Sequence, residues 1–133
     1  QFLYVAGLFA VLGHIFPIYY GFKGGKGVLA TATMALVLSP IPFLILLLVF
    51  VILVWWTRYV SLGSVVGVAL YPVAVSGYFM VRFGVATPGL CALCTILLAI
   101  LIVWCHRGNL QRISDRTERK ISFKKKEKDG EEK

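Results

Sequence analysis

No aspartate or glutamate occurs before Asp115; all six acids of the 133-residue chain fall in its last 19 positions. That absence excludes, for the first 114 residues, chemistry built on paired carboxylates and metal sites built on carboxylate oxygens. Histidine is also scarce, with only His14 and His106. With no acid near either, a zinc site is not expected. There are three cysteines, Cys91, Cys94 and Cys105. The Cys91-Ala92-Leu93-Cys94 spacing matches a redox pair, but the stretch is apolar and lacks a strand–helix–strand context, so helix packing is the expected role of all three thiols.

What the chain has instead is hydrophobic length. It is 59% hydrophobic, with a mean hydropathy of +0.83, above the soluble range. Five apolar runs stand out: Gln1 to Leu12, Val28 to Ser39, Phe43 to Trp56, Leu62 to Met80, and Gly89 to Cys105. The last two approach the ~20 residues of a bilayer-spanning helix. The second and third are shorter, and a short helix after a glycine-rich turn can begin at membrane depth if its end faces protein or water. The expected fold class is all-α, a polytopic transmembrane helical bundle. Residues 1–106 form the membrane-embedded domain, and 107–133 a basic, largely disordered cytoplasmic tail. The chain opens on Gln1 inside an apolar run, without the basic and cleavable parts of a signal peptide, and is expected to lack an upstream portion.

Pro40, Pro42 and Pro88 are expected at helix breaks. If each run crosses once, the Gly13–Gly27 loop, the Thr57–Ser64 loop and the segment after Cys105 share one face. That face carries Lys23, Lys26, Arg58 and the tail, whose ten cations outnumber its six acids; the opposite face has Arg82 alone. The positive-inside tendency makes the first face cytoplasmic, and Trp55, Trp56, Tyr59 and Trp104 fall at its boundary. The run Lys124-Lys125-Lys126 suits attraction to anionic lipid. Nucleic acid is not expected as a partner, since Phe123 is the only aromatic residue in the tail.

Three polar constellations lie on that face. In Gly21-Phe22-Lys23-Gly24-Gly25-Lys26-Gly27, the glycines allow backbone N–H groups near an anion, the following helix start adds partial positive charge, and Lys26 adds a full one. It is no Walker A loop, having Tyr20 and Gly27 where that motif needs Gly and Ser or Thr; the plain alternative is a flexible basic turn. In Thr57-Arg58-Tyr59-Val60-Ser61-Leu62-Gly63-Ser64, Ser61 is expected to cap the fourth helix, with Ser64 one turn on in the same cleft. Their hydroxyls suit a phosphate or an oxyanion; the alternative is capping alone. His106 and Asn109 are three apart and share a side if the helix continues; His106 could serve as acid, base or phosphate donor, or simply sit at the water boundary.

Together these strings resemble the bacterial membrane acyl-phosphate:glycerol-3-phosphate acyltransferases, the PlsY family. The resemblance rests on Gly13-His14-Ile15-Phe16-Pro17 with Phe22 to Val28, on Thr57 to Ser64, and on His106-Arg107-x-Asn109 followed by Arg112 and Thr117-Glu118, in that order. It covers about residues 3 to 120. It implies a seven-helix enzyme of the bacterial plasma membrane. The reaction moves a fatty acyl group from acyl-phosphate to the 1-hydroxyl of glycerol 3-phosphate, giving lysophosphatidic acid and phosphate, without metal or cofactor. The family's Ser-Gly-Asn-rich first loop has no counterpart in this sequence. Arg116 stands where a Gly usually precedes Thr-Glu, Gly108 replaces an acidic residue, and Leu29 and Ala30 replace a small-residue–Thr pair.

Two phosphorylated substrates fit a carboxylate-free, cation-bearing site. Lys26 and the amides of Gly24, Gly25 and Gly27 are expected to hold a phosphate, with Ser61 in the binding cleft. Ser64 and His106 are the expected catalytic groups, and Asn109 and His14 contact or brace the cleft. Membrane lipid is an expected partner, with the acyl chain between helices. Competing readings are a transporter or assembly subunit binding a phosphorylated anion, or a lipid-binding scaffold using the tail.

Overall fold

The computed structural model describes residues 1–122, and no strand occurs among them. The Lys124-Lys125-Lys126 run and the charged end beyond it lie outside the described residues. The helices are α1 (Phe2–Ile15), α2 (Val28–Leu38), α3 (Pro40–Thr57), α4 (Val60–Phe83), α5 (Gly89–Cys105) and α6 (Arg107–Ser114), with a single 3-10 turn at Ile18–Tyr20. Each of the five apolar runs is thus a helix. Three segments are long and apolar enough to cross a membrane: Phe2–Tyr20, Pro40–Thr57 and Val60–Phe83; α5 with α6 makes a fourth if that pair, bent by 52°, is taken as one span. The 11-residue α2 rises only ~16 Å, about half the ~30 Å hydrocarbon core. It is the short helix following a glycine-rich turn.

Several boundaries differ from the sequence expectation. Pro40 and Pro42 do not form a connecting turn. They open α3, where a missing N–H is harmless, and the break from α2 narrows to Ser39 alone. Ser39 Oγ donates to Ala35 O (3.2 Å) and lies 2.9 Å from the Tyr71 hydroxyl, so the buried break is satisfied by α4. Pro72 sits inside α4 without ending it. α1 runs three residues further than Leu12, which puts His14 in its last turn instead of in a loop. Arg107–Ser114 are helical where a tail was expected.

α4 lies between α3 and α5, and α1 packs on both α5 and α2. The main buried cluster draws Tyr4, Val11 and Ile15 from α1, Met34 from α2, and Cys91, Cys94, Leu98 and Ile102 from α5. Cys91 and Cys94 are free thiols within this packing. The outer face is apolar: Leu44, Ile45, Leu48, Val51 and Ile52 of α3 are all exposed, as suits contact with lipid. Trp55 and Trp56 end α3, and Trp104 stands near the end of α5, all exposed. Two cations overlie aromatics at this end, Arg107 on Trp104 (4.2 Å) and Lys120 on Tyr59 (5.4 Å).

Candidate functional site

The three loops meet at that same end. A pocket of about 360 Å³ is lined by His14, Lys26, Gly27, Ser61, Ser64 and His106, among others. Strings expected on one face thus meet at one pocket, although α2 is short.

The glycine loop folds back onto the end of α1. The Gly24 amide donates to Ile15 O (3.1 Å), and a Cβ at Gly24 would collide with the carbonyl oxygens of His14 and Ile15. The amide of Gly24 is thereby engaged, and the expectation that it faces a phosphate is not met. A Cβ at Gly25 would lie 2.6 Å from His14 Nε2, so this glycine lets the loop close on that ring. His14 thus braces the loop and also lines the pocket. Gly27 begins α2 with φ +75°, a conformation favourable to glycine. The first amides of α2 have no acceptor within their own helix, and Val28 and Leu29 line the pocket. Lys26 Nζ donates to Asn109 Oδ1 (2.6 Å), leaving two ammonium protons for another acceptor.

Asn109 is buried in α6, where the network fixes its amide orientation. With Oδ1 on Lys26, its Nδ2 donates to Ser61 Oγ (2.8 Å) and to Glu118 Oε1 (2.7 Å). Ser61 Oγ donates to Glu118 Oε1 (2.8 Å). Ser61 is not the helix cap: α4 begins at Val60 with Tyr59 in the cap position and no side-chain cap, and the Ser61 hydroxyl belongs to this network. Ser64, one turn on, is buried and donates to Val60 O (3.0 Å), so its hydroxyl must rotate to reach an anion. His106 is only 3% exposed. Its Nδ1 lies 2.8 Å from Ile102 O. A carbonyl only accepts, so Nδ1 carries the proton, and Nε2 is the nitrogen left for a ligand.

The site is not free of carboxylates, contrary to the sequence expectation. Arg112 Nε donates to Glu118 Oε2 (2.7 Å), and with Ser61 and Asn109 these bonds hold the Glu118 carboxyl well below the usual range, at about 2. Glu118 was visible in the sequence as part of Thr117-Glu118, but its arrival at Ser61 depends on how α6 ends. Arg116 N–H donates to Ile113 O and Thr117 N–H to Arg112 O, with Arg116 at φ 58°. This is a Schellman ending, whose left-handed position is usually Gly. It reverses the chain, and Ile121 N–H then reaches Arg58 O (3.0 Å).

This lowered pKa gives a testable pH dependence. A depressed carboxyl contributes stability that is complete above its unfolded pKa of ~4.3 and is lost as pH falls toward 2. Hydrogen exchange at the Ile121 amide, corrected for intrinsic rate, should show equal protection at pH 7 and pH 5. Glu118→Gln should reduce it at both values. Protection that vanishes between pH 7 and 5 in the unsubstituted protein would contradict the assignment.

No group of three His, Cys, Asp or Glu placed to hold a metal occurs among the described residues. The arrangement offers one ammonium, helix-start amides, hydroxyls and an oriented imidazole beside an apolar, lipid-facing body. Fold and site together define a polytopic helical membrane protein with a polar pocket at one end of its helices, suited to an anion.

Comparison with known proteins gives this class its family. Residues 1–116 match the model of the family described as glycerol-3-phosphate acyltransferase. The chain is 41% identical over 122 residues to the glycerol-3-phosphate acyltransferase of Syntrophomonas wolfei, covering 92% of this chain and 59% of that protein. It is 42% identical over 120 residues to that of Halalkalibacterium halodurans, covering 90% and 57%. The crystal structure of PlsY, an integral membrane glycerol 3-phosphate acyltransferase, superposes in its glycerol 3-phosphate form with a TM-score of 0.79 at 31% identity, over 90% of this chain and 56% of PlsY. Its lysophosphatidic acid form gives 0.78, over 90% and 57%. The chain belongs to the glycerol-3-phosphate acyltransferase family, and it spans just under three fifths of the length of these curated relatives.

Proposed function

We propose that this chain supplies the polar site of a membrane acyltransferase that moves a fatty acyl group from acyl-phosphate to the 1-hydroxyl of glycerol 3-phosphate. The observation that carries this reading is the convergence of Lys26, Ser61, Ser64, His106 and Asn109, from three distant segments, at one pocket beside a lipid-facing surface. The hydroxyl oxygen forms a bond to the acyl carbonyl carbon, the bond from that carbon to the phosphate oxygen breaks, and phosphate leaves. Because phosphate is already a good leaving group, alignment and charge compensation are the main demands on the protein. Lys26 and the α2 amides hold a phosphate. Ser64 turns its hydroxyl toward the developing oxyanion, and His106 Nε2 accepts the hydrogen bond of the attacking hydroxyl and takes its proton as the new bond forms. Asn109 and Ser61 are positioning residues, held in turn by Glu118. No metal or cofactor enters this scheme.

The pocket faces the cytoplasm of a bacterial plasma membrane in this reading. The cations at that end (Lys23, Lys26, Arg58 and Arg107) support the orientation.

The test is the complete gene product in lipid vesicles. Lysophosphatidic acid and inorganic phosphate should form only when both acyl-phosphate and glycerol 3-phosphate are supplied. Movement of labelled glycerol 3-phosphate across the vesicle without its consumption would replace this reading by a transporter.

A further inference from the structure

After α6 the chain reverses and returns along the end of the bundle as a short non-helical hook. The hook is fastened on two sides. Its Glu118 carboxylate enters the pocket network through Ser61, Asn109 and Arg112. A little further on, Lys120 Nζ lies 5.4 Å over the Tyr59 ring, and the Ile121 N–H donates to Arg58 O (3.0 Å). The carboxylate that orders the polar site and an exposed cation at the protein surface therefore belong to one short segment.

The corner that receives the hook joins α3 to α4. Arg58 ends α3 in the left-handed conformation (φ 62°), and Tyr59 stands in the cap position of α4. Trp55 and Trp56, one helical turn before Tyr59, are 75% and 81% exposed at the end of the apolar outer face of α3. Exposed tryptophans at the end of an apolar span mark the headgroup level of a bilayer. Arg58, Arg119 and Lys120 are exposed beside them. Arg107 repeats the pattern after α5: it lies 4.2 Å over Trp104 and donates to Trp104 O (3.0 Å). Among residues 1–122 only Asp115 and Glu118 are acidic, and Glu118 is paired with Arg112. The corner is thus complementary to a negative headgroup.

The hook has reason to need such a tie. Its turn holds Arg116 at φ 58°, a conformation that a residue other than glycine adopts at a cost. Its backbone link to the corner is the single Ile121–Arg58 bond.

We propose that the headgroup of an anionic phospholipid binds Arg58 and Lys120 and holds the hook closed, so that the charge of the surrounding membrane regulates the order of the polar site through Glu118. This regulation acts on the site of the acyl-transfer reading but does not require that reading, because closure of the hook is measurable without any substrate. Each cation drawn to an anionic surface favours the closed form by up to about fivefold.

The experiment places the complete gene product in nanodiscs of phosphatidylcholine, alone or with about one third phosphatidylglycerol, and reads hydrogen exchange at the Ile121 amide. Protection is expected to rise about fivefold or more with phosphatidylglycerol, and high salt should abolish the rise. Arg58→Gln combined with Lys120→Gln should remove it, whereas Lys120→Arg should keep it. No rise in the unsubstituted protein overturns the inference, and that arm depends on no variant folding. A rise that survives the double substitution, but is lost when Lys124, Lys125 and Lys126 are all replaced by Gln, also overturns it and assigns the lipid to the tail. An equal rise with inorganic phosphate in phosphatidylcholine alone overturns the lipid as occupant. Failure to form lysophosphatidic acid in either membrane is a different result, because it removes the acyl-transfer reading and leaves this inference standing.

Discussion

On the proposed acyl-transfer reading, replacing Lys26 by alanine is expected to lower kcat/KM for lysophosphatidic acid formation by about 100-fold or more. Among the described residues, Lys26 is the one lysine or arginine lining the polar pocket. Its Nζ, held 2.6 Å from Asn109 Oδ1, keeps two protons free. A hydrogen bond from a charged donor contributes roughly 1.5–3 kcal/mol, and the loss of one preorganised donor to developing negative charge costs about 10²–10³ in rate. The substitution also leaves Asn109 Oδ1 without its donor, a cost of about 1–3 kcal/mol if the group stays dry. Thermal unfolding in detergent must therefore accompany the assay. Lys26→Arg keeps the charge but replaces a compact ammonium by a planar fork, so partial recovery is expected. Activity of Lys26→Ala within about threefold of the unsubstituted protein would remove Lys26 from the site.

His106→Ala is the second large effect, with a fall in kcat of about 10²–10⁴ and a smaller change in KM. Two features of the fold support this split. Nδ1 is committed to Ile102 O, which fixes the ring and leaves Nε2 as the nitrogen available to a ligand. The residue sits at the bend between α5 and α6, where its own N–H bonds to Ile102 O and Val103 O, so the backbone is held independently of the ring. His106→Gln keeps a polar atom near the Nε2 position but cannot take up a proton, so it should restore KM more than kcat. A kcat loss under about tenfold for both variants would show that the proton leaves with a substrate phosphate instead, with the imidazole only lining the cleft.

Much of this arrangement could be read from the chain before any coordinates. The apolar runs give five helices because hydrophobic length is a strong one-dimensional signal. Which polar strings meet follows from counting crossings and cations. The fine placement was not legible for identifiable reasons. Prolines mark both breaks and helix starts; at Pro40 and Pro42 the second applies, and the buried Ser39 break depends on Tyr71, 32 residues away. Ser61 is not a cap because α4 already begins at Val60, one residue earlier, and its hydroxyl bonds a distant carboxylate. Glu118 is visible as part of Thr117-Glu118, but its meeting with Ser61 and Asn109 is hidden from local reading. It lies in a charged stretch that looks like a solvated tail, and only the reversal at Arg116 brings it to the pocket. A glycine at position 116 would have announced that reversal. With Arg there, the left-handed conformation is unusual for the residue type.

The bonds that assemble the pocket join residues far apart in sequence: Lys26 with Asn109 across 83 positions, and Ser61 with Glu118 across 57. During biosynthesis the Lys26 and Ser61 segments are made long before α6 and the turn after it, and their network closes only when those residues have followed. A nascent chain halted before residue 118 would expose its ammonium and hydroxyls without the carboxylate that anchors Asn109 and Ser61. The pocket network is thereby complete only once Glu118 has been added, so a chain inserted only up to that point has no finished site.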